Sequence, residues 1–384
     1  MTAKRIIYAI MVLASAVAFV VSNSNIALFI LACLVVLPLI SLCLLLIVRK
    51  KVKFELTVRD SCIRGGNLQL TMRASAGVRF LLGAVKVIVT IENTTFHKTE
   101  RQSYFIKDLS FDSHVFNYNS QDSGRISVKC DSLRLIDIFG VYEIKVSCPV
   151  YAEAIVSPKL FDDVGITVAD RVTDSVFGDM VLPKKGSDIT EVYDVRDYVA
   201  GDAPNAVHWK LSGKFGSLKT KEFGATDDRK ILILVDMSKN KYGRQATDAQ
   251  LNGILDVTAS ISNALKSAGL THSVGWFNGG EFESSEVSDG DSFVRTVGKM
   301  MSAKVNDGNE ESLFYLSRTA ECGVFTKIIF ISSSVDNSEF KDVTDAELTA
   351  IEVASSSGEG VYHGVRVINI PTDNIQNALT ALSI

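Results

Sequence analysis

The chain has 384 residues, a formal net charge of -4 and 47% hydrophobic residues, which sets a prior of two or three domains with real cores. A balance so close to neutral excludes a global nucleic-acid-binding signature and leaves charge informative only locally.

Apolar residues concentrate at one end. Ile6 to Ser22 and Ile26 to Val48 form two runs parted by a short polar turn around Asn23 and Ser24. The second, as a helix, is about 35 Å long against a hydrocarbon core of about 30 Å, so it spans with modest tilt. The central Pro38 is tolerated in a bilayer helix. The first run is at the short limit and leans on Lys4 and Arg5 reaching the interface. Lys4 and Arg5 precede the first run, Arg49, Lys50, Lys51 and Lys53 follow the second, and the turn between carries no cation. Residues 1-51 are therefore expected to be two transmembrane helices, with both ends cytoplasmic. A cleaved signal peptide competes for the first run, since small residues at Ala14-Ser15-Ala16 also fit that template; the second span and its basic flank would then lie on the wrong side.

Cys33 and Cys43 lie inside the second run, and Cys62, Cys130, Cys148 and Cys322 are scattered without C-x-x-C spacing. Neither a zinc site nor a disulfide framework is indicated, in keeping with a reducing compartment.

Residues 52-156 carry a period-two pattern in VKFELTV, NLQLTM, AVKVIVTIEN, HVFNYN, RISVKC and YEIKVSC, punctuated by Gly65-Gly66-Asn67 and Ser123-Gly124. An antiparallel β-sandwich is expected, with no catalytic constellation in it. Residues 157-230 form a charged, glycine-punctuated module. From 231 to 384 continuous apolar strands (ILILVD, HSVGWF, IIFISS, GVRVINI) alternate with helical patterns, one of them with Leu251, Ile254, Leu255, Ile261 and Leu265 on a single face. That alternation predicts a mainly parallel, doubly wound α/β sheet. The fold class expected overall is α+β multidomain: a helical hairpin, a sandwich, then an α/β domain.

Ligands of such sheets bind beyond the carboxyl ends of the strands. There stand Asp236, Ser238 and Asn240, three oxygen donors at alternate positions, the type that hard cations such as Mg²⁺ select. The arrangement resembles a von Willebrand factor type A domain, whose metal-ion-dependent adhesion site begins Asp-x-Ser-x-Ser. Asn240 departs from that pattern. The resemblance also implies a Thr, which cannot be placed, and an Asp after a later strand, where the sequence has Ser332-Ser333-Ser334-Val335-Asp336. The competing reading is a loop in which Asp, Ser and Asn only hydrogen-bond their own backbone.

Within the charged module, Glu191, Arg196-Asp197-Tyr198, Gly201-Asp202, Pro204 and His208-Trp209-Lys210 resemble the signature of a bacterial family known as domain of unknown function 58. Asn205, His208 and Gly213-Lys214 depart from it. Members carry two N-terminal spans, a β domain, the signature and a type A-like domain. The resemblance implies residence in the bacterial cell membrane and partnership with a MoxR-type AAA+ ATPase in assembly or maturation of a complex; the loops at Asp236 and at Ser333 and Asp336 are the expected partner surface. Arg196 and Lys210 are candidates for a carboxylate contact. Alternatively Arg196 pairs with Asp202, Gly201 makes a turn and Trp209 is an apolar anchor, together fixing the β and α/β domains against each other.

The histidines His97, His114, His208, His272 and His363 are isolated, and no H-E-x-x-H, G-x-S-x-G or Walker-type loop occurs. Asn278-Gly279-Gly280 suits a hairpin turn. The leading expectation is a membrane-anchored interaction or scaffold protein, not an enzyme; the alternative is a membrane-bound hydrolase using a metal at Asp236 to activate water.

Overall fold

The computed structural model describes residues 2–22, 24–75, 83–107, 113–162, 164–165, 192–198, 207–223, 230–306, 312–318, 324–336, 340, 346–354, 358–362 and 365–382. It is a mixed α/β structure that begins with two apolar helices and continues through several sheets.

Helices α1 (Thr2–Ser22) and α2 (Asn25–Val48) are each long and apolar enough to cross a membrane. Ser24 starts α2, its hydroxyl accepting from the amide of Ile26 at 3.3 Å, an N-cap that satisfies one otherwise orphaned donor. Pro38, Ser41, Leu45 and Val48 are buried, at the three- and four-residue spacing that defines one helix face. Leu45 and Val48 belong to the same packed cluster as the interior of the following sheets.

Those sheets are built from β1 (Lys53–Val58), β2 (Ser61–Ile63), β3 (Asn67–Ser75), β4 (Ala84–Asn93), β5 (Lys98–Ile106), β6 (His114–Asn119), β7 (Gly124–Ile136) and β8 (Glu143–Ser157). The order β1-β3-β6 makes one sheet and β2-β8-β7-β4-β5 the other. All pairings are antiparallel except β2 with β8. Both contribute to one core: Leu68, Leu70 and Met72 from the first, Val85, Val87, Val89 and Leu133 from the second. Alternation in β4 is clean, with Val85, Val87, Val89 and Ile91 inward, as period two requires. Strand β5 escapes the sequence pattern because it is an edge whose first residues, Lys98 to Arg101, are exposed on both faces.

In the module, β9 (Val192–Asp197) and β10 (Lys219–Phe223) form their own antiparallel pair, with α3 (Trp209–Phe215) leading into β10. Asp202 and Gly201 lie outside the described residues, as do Glu191, Pro204 and Asn205.

The last body contains β11 (Ile231–Val235), β12 (Asn240–Lys241), β13 (Arg244–Gln245), α4 (Asp248–Ser267), β14 (His272–Asn278), β15 (Glu281–Val287), α5 (Gly290–Met300), α6 (Ser312–Arg318), β16 (Lys327–Ser332), β17 (Glu347–Ala354), β18 (Gly358–Tyr362), β19 (Val365–Pro371) and α7 (Ile375–Thr380). Its main sheet runs β15-β14-β11-β16-β17-β19-β18. The five inner strands are parallel, and β15 and β18 close the edges antiparallel. Alternate residues of β11 feed two cores: Ile231, Ile233 and Val235 pack under α4, α5 and α7, while Leu232 and Leu234 pack under α6. Coverage of both faces explains why ILILV is continuously apolar. The expected turn at Asn278-Gly279-Gly280 joins β14 to β15, with both glycines at positive φ (62° and 87°), the backbone of a two-residue hairpin loop. Strands β17 and β18 and helix α6 were not anticipated; β17 mixes Glu347, Thr349 and Glu352 with its apolar residues.

Candidate functional site

Asp236 follows β11 at the carboxyl end of the parallel strands and is 1% exposed. Its amide donates to the carbonyl of Ile331 on β16 at 2.9 Å. Oδ1 accepts from the amide of Ser238 at 3.0 Å and from its hydroxyl at 2.6 Å. Oδ2 is ion-paired with the ammonium of Lys241 and lies 3.2 Å from Ser332 Oγ. Lys241 is also 1% exposed; its Nζ donates to Ser332 Oγ at 3.2 Å and lies 4.7 Å from the centre of the Phe330 ring, a further favourable contact for a cation.

The local sequence explains why Lys241 and not Asn240 reaches Asp236. Strand β12 is two residues long and pairs with β13 across Tyr242-Gly243, both at positive φ (51° and 74°), which is the tight hairpin geometry that favours glycine at the second position. On a strand successive side chains face opposite ways, so an exposed Asn240 accompanies a buried Lys241. Lys239 and Asn306 stitch the loop from the other side: the Lys239 amide donates to the Asn306 carbonyl at 2.7 Å. Glu352 borders the same end; burial raises its pKa, and Arg244 and Lys241 pull it back.

This set does not fit a divalent cation. Both oxygens of Asp236 are already occupied, Ser238 donates to the carboxylate beside it, and the nearest cation is a lysine that would repel Mg²⁺. Asn240 points to the surface, Ser333 is buried and Asp336 is exposed. No cluster of three or more His, Cys, Asp or Glu gathers among the described residues. Of the expected ligand and partner residues, Asp236 and Ser238 therefore come together, and Asn240 and Asp336 are exposed. Ser333 does not offer a partner surface, because the end of β16 turns it inward. The member missed from sequence is Lys241; Ser332 stands there only as the first of the serine run after the later strand. Ser332 is wholly buried and its lysine neighbour is held by a carboxylate, so it is not presented as a nucleophile.

The signature module places its residues differently. Arg196 sits in β9 opposite Thr220, and the amide of Tyr198 donates to the carbonyl of Leu218 at 2.9 Å. His208 caps α3, its Nδ1 accepting from the amide of Leu211 at 3.2 Å, and Lys219 Nζ pairs with Asp197 at 2.5 Å. Trp209 is 68% exposed and Phe215 63%; Trp209 is therefore not an apolar anchor. Lys210 and Lys214 are exposed on the same short helix, and Lys214 and Lys219 each lie 5.9 Å from the Phe215 ring centre.

The sandwich meets the α/β body at α4 and at the segment after α5, where the carbonyl of Met301 accepts from Thr95 Oγ1 at 2.6 Å and from the amide of Arg125 at 3.0 Å. Asn252, Asp256 and Ser260 are buried at four-residue spacing, on one helix face. Asn252 Oδ1 accepts from the amide of Ser123 at 2.9 Å, and its amide group donates to Asp122 at 2.8 Å. Asp256 pairs with Arg64 and accepts from the amide of Lys159 at 2.8 Å. Ser260 Oγ accepts from the amide of Phe161 at 3.0 Å. Burial pushes the Asp256 carboxyl up to about 6, with Arg64 the chief opposing influence.

No family model and no curated protein matches the chain. Among solved structures, a cohesin module of a family 33 glycoside hydrolase from Clostridium perfringens aligns at 8% identity over 27% of this chain and 96% of that one, with a TM-score of 0.20. A PKD domain of an M14-like peptidase from a Thermoplasmatales archaeon aligns at 15% identity over 27% and 91%, with a TM-score of 0.16. A family 76 glycoside hydrolase from a bovine Bacteroides thetaiotaomicron strain aligns at 13% identity over 27% of this chain and 20% of that one, with a TM-score of 0.18. Likenesses this slight carry no argument about fold or function.

Proposed function

We propose that this chain is a membrane-anchored, cytoplasm-facing interaction protein of the domain of unknown function 58 type, with a type A-like α/β body and no catalytic role of its own. Two apolar helices with cations only outside their connecting turn support the anchoring and the orientation. The observation that carries the interaction reading is α3, where Trp209 and Phe215 are two-thirds exposed beside Lys210 and Lys214. Exposed aromatics of this size are suited to anchor the centre of an interface, and flanking lysines belong to its polar rim. The lysines suit an acidic partner face, and the resemblance of the module names a MoxR-type AAA+ ATPase as that partner. The loop end at Asp236 serves as a metal-independent brace for the sheet.

The test is capture of the cognate ATPase by the full-length chain in nanodiscs. Trp209→Ala combined with Phe215→Ala should weaken capture by about tenfold or more, the scale of interface hot spots; unchanged capture overturns the reading. Calorimetric titration with Mg²⁺ and Mn²⁺ should give no saturable binding at the loop end, and a saturable signal abolished by Ser238→Ala would return the metal site.

A further inference from the structure

One surface of the sandwich is not used by any contact described above. The loop between β7 and β8 presents Ile138, 55% exposed, and Phe139, and the neighbouring end of β5 presents Phe105, 51% exposed. Lys4 and Lys107 are exposed around them, and Lys86 Nζ lies 5.5 Å from the Phe105 ring centre. The acid of this loop is held within it: the buried Asp137 carboxylate accepts from the amides of Tyr142 at 2.8 Å and Phe139 at 3.2 Å. Among the described residues the tip is thus apolar and basic, with the Asp137 carboxylate covered.

Its position relative to the helices is what gives it meaning. Ser41 of α2 donates to Asp137 at 3.4 Å, and Arg5 of α1 donates from Nε to the carbonyl of Val141 at 2.9 Å. A hollow of about 310 Å³ is lined by Phe139 together with Ile7, Met11, Leu34 and Leu37, so the loop tip lies level with the second and third turns of α1. Beyond it, from Pro38 to Val48, α2 rises about 15 Å with one face on the sandwich, while Leu39, Ile40, Leu46 and Ile47 face outward, about half exposed. A helix with protein on one side and an apolar surface on the other places that protein at the depth where the apolar surface meets lipid.

We propose that the sandwich is seated in the headgroup layer by this tip: Phe105, Ile138 and Phe139 enter the acyl boundary and Lys4, Lys86 and Lys107 meet anionic headgroups. The inference rests on the reading that α1 and α2 span a bilayer. Aromatic side chains favour the interface between water and hydrocarbon, and cations near an anionic leaflet add to the attraction. The seat would hold the soluble body at a fixed attitude to the membrane, so that it does not swing on a flexible tether.

The test uses the full-length chain in nanodiscs containing anionic lipid, with the photoreactive residue benzoylphenylalanine installed singly at position 138, at position 29 on an exposed face of α2, or at position 294 on α5. Mass spectrometry should find lipid adducts at 29 and at 138 and none at 294. Adducts at 29 without adducts at 138 overturn the seat and leave the spans intact. Absence at 29 as well overturns the membrane reading itself. Cross-links from 138 to a second copy of the chain would overturn the seat in favour of self-association. The combination Lys86→Glu with Lys107→Glu should lower the yield at 138 severalfold in anionic discs and little in zwitterionic ones; equal yields would remove the headgroup role.

Discussion

A lysine and an aspartate buried side by side are costly unless each supplies what the other lacks. Asp236 and Lys241 are both 1% exposed and paired, and the surrounding hydroxyls of Ser238 and Ser332 fill the remaining hydrogen-bonding positions. Taking away one partner of such a pair leaves an uncompensated charge in a medium of low polarity, typically at a cost of about 3–5 kcal/mol. Asp236→Ala should therefore destabilise the α/β body by an amount of that order, and Lys241→Met added to Asp236→Leu should restore most of it. Denaturant unfolding of the single and double variants measures this; a mild effect of Asp236→Ala alone would contradict the pairing. The aspartate and first serine were legible from their place after an apolar strand. Their cation was not, because its recruitment depends on a hairpin of two-residue strands whose alternation turns Asn240 out and Lys241 in, a geometry too short to leave a periodic signature.

At the scale of elements, α4 shows how one helix serves two bodies. Its apolar stripe was legible as a core face, and Leu251, Ile254, Leu255, Ile261 and Leu265 are buried against the sheet. The second stripe, Asn252, Asp256 and Ser260, was equally regular in spacing, but polar residues at four-residue intervals on a helix are usually a solvated face. Here they receive amides from Ser123 of the sandwich and from Lys159 and Phe161 just after β8, which sequence separations of about a hundred residues conceal. The Asp256 carboxyl at about 6, against an ordinary 3.8, has a thermodynamic consequence. A raised carboxyl favours the protonated folded state, so its contribution is fully present below about pH 3.8 and is lost as pH rises through about 6. Asp256→Asn should flatten the change of stability across that window, and Arg64→Ala should move the carboxyl higher still, because the guanidinium opposes the effect of burial. Unfolding measured at several pH values distinguishes these outcomes; an Asn variant with the parent's pH slope would assign the slope to other groups.

For the whole molecule, the boundary that sequence composition placed near residue 51 is a change of solvent and not a hinge. Apolar length made the two helices legible, yet composition cannot tell a residue facing lipid from one facing a protein core, since both are leucine or valine. Leu45 and Val48 end α2 inside the sandwich cluster, which also holds Phe54 and Leu56 of β1, whereas Leu46 and Ile47 on the same turn remain outward. The two faces make opposite predictions for one substitution. Leu45→Ala removes buried methyl groups from a packed protein interior and should cost about 2–5 kcal/mol of sandwich stability. Leu46→Ala, differing by one position, removes the same atoms from an outward face and should change it little. Thermal unfolding in nanodiscs, followed by near-ultraviolet circular dichroism, compares them directly. Equal effects would make α2 an independent anchor; a large difference makes its last turns part of the domain they carry, and couples the attitude of the soluble body to the bilayer through packing as well as through the chain.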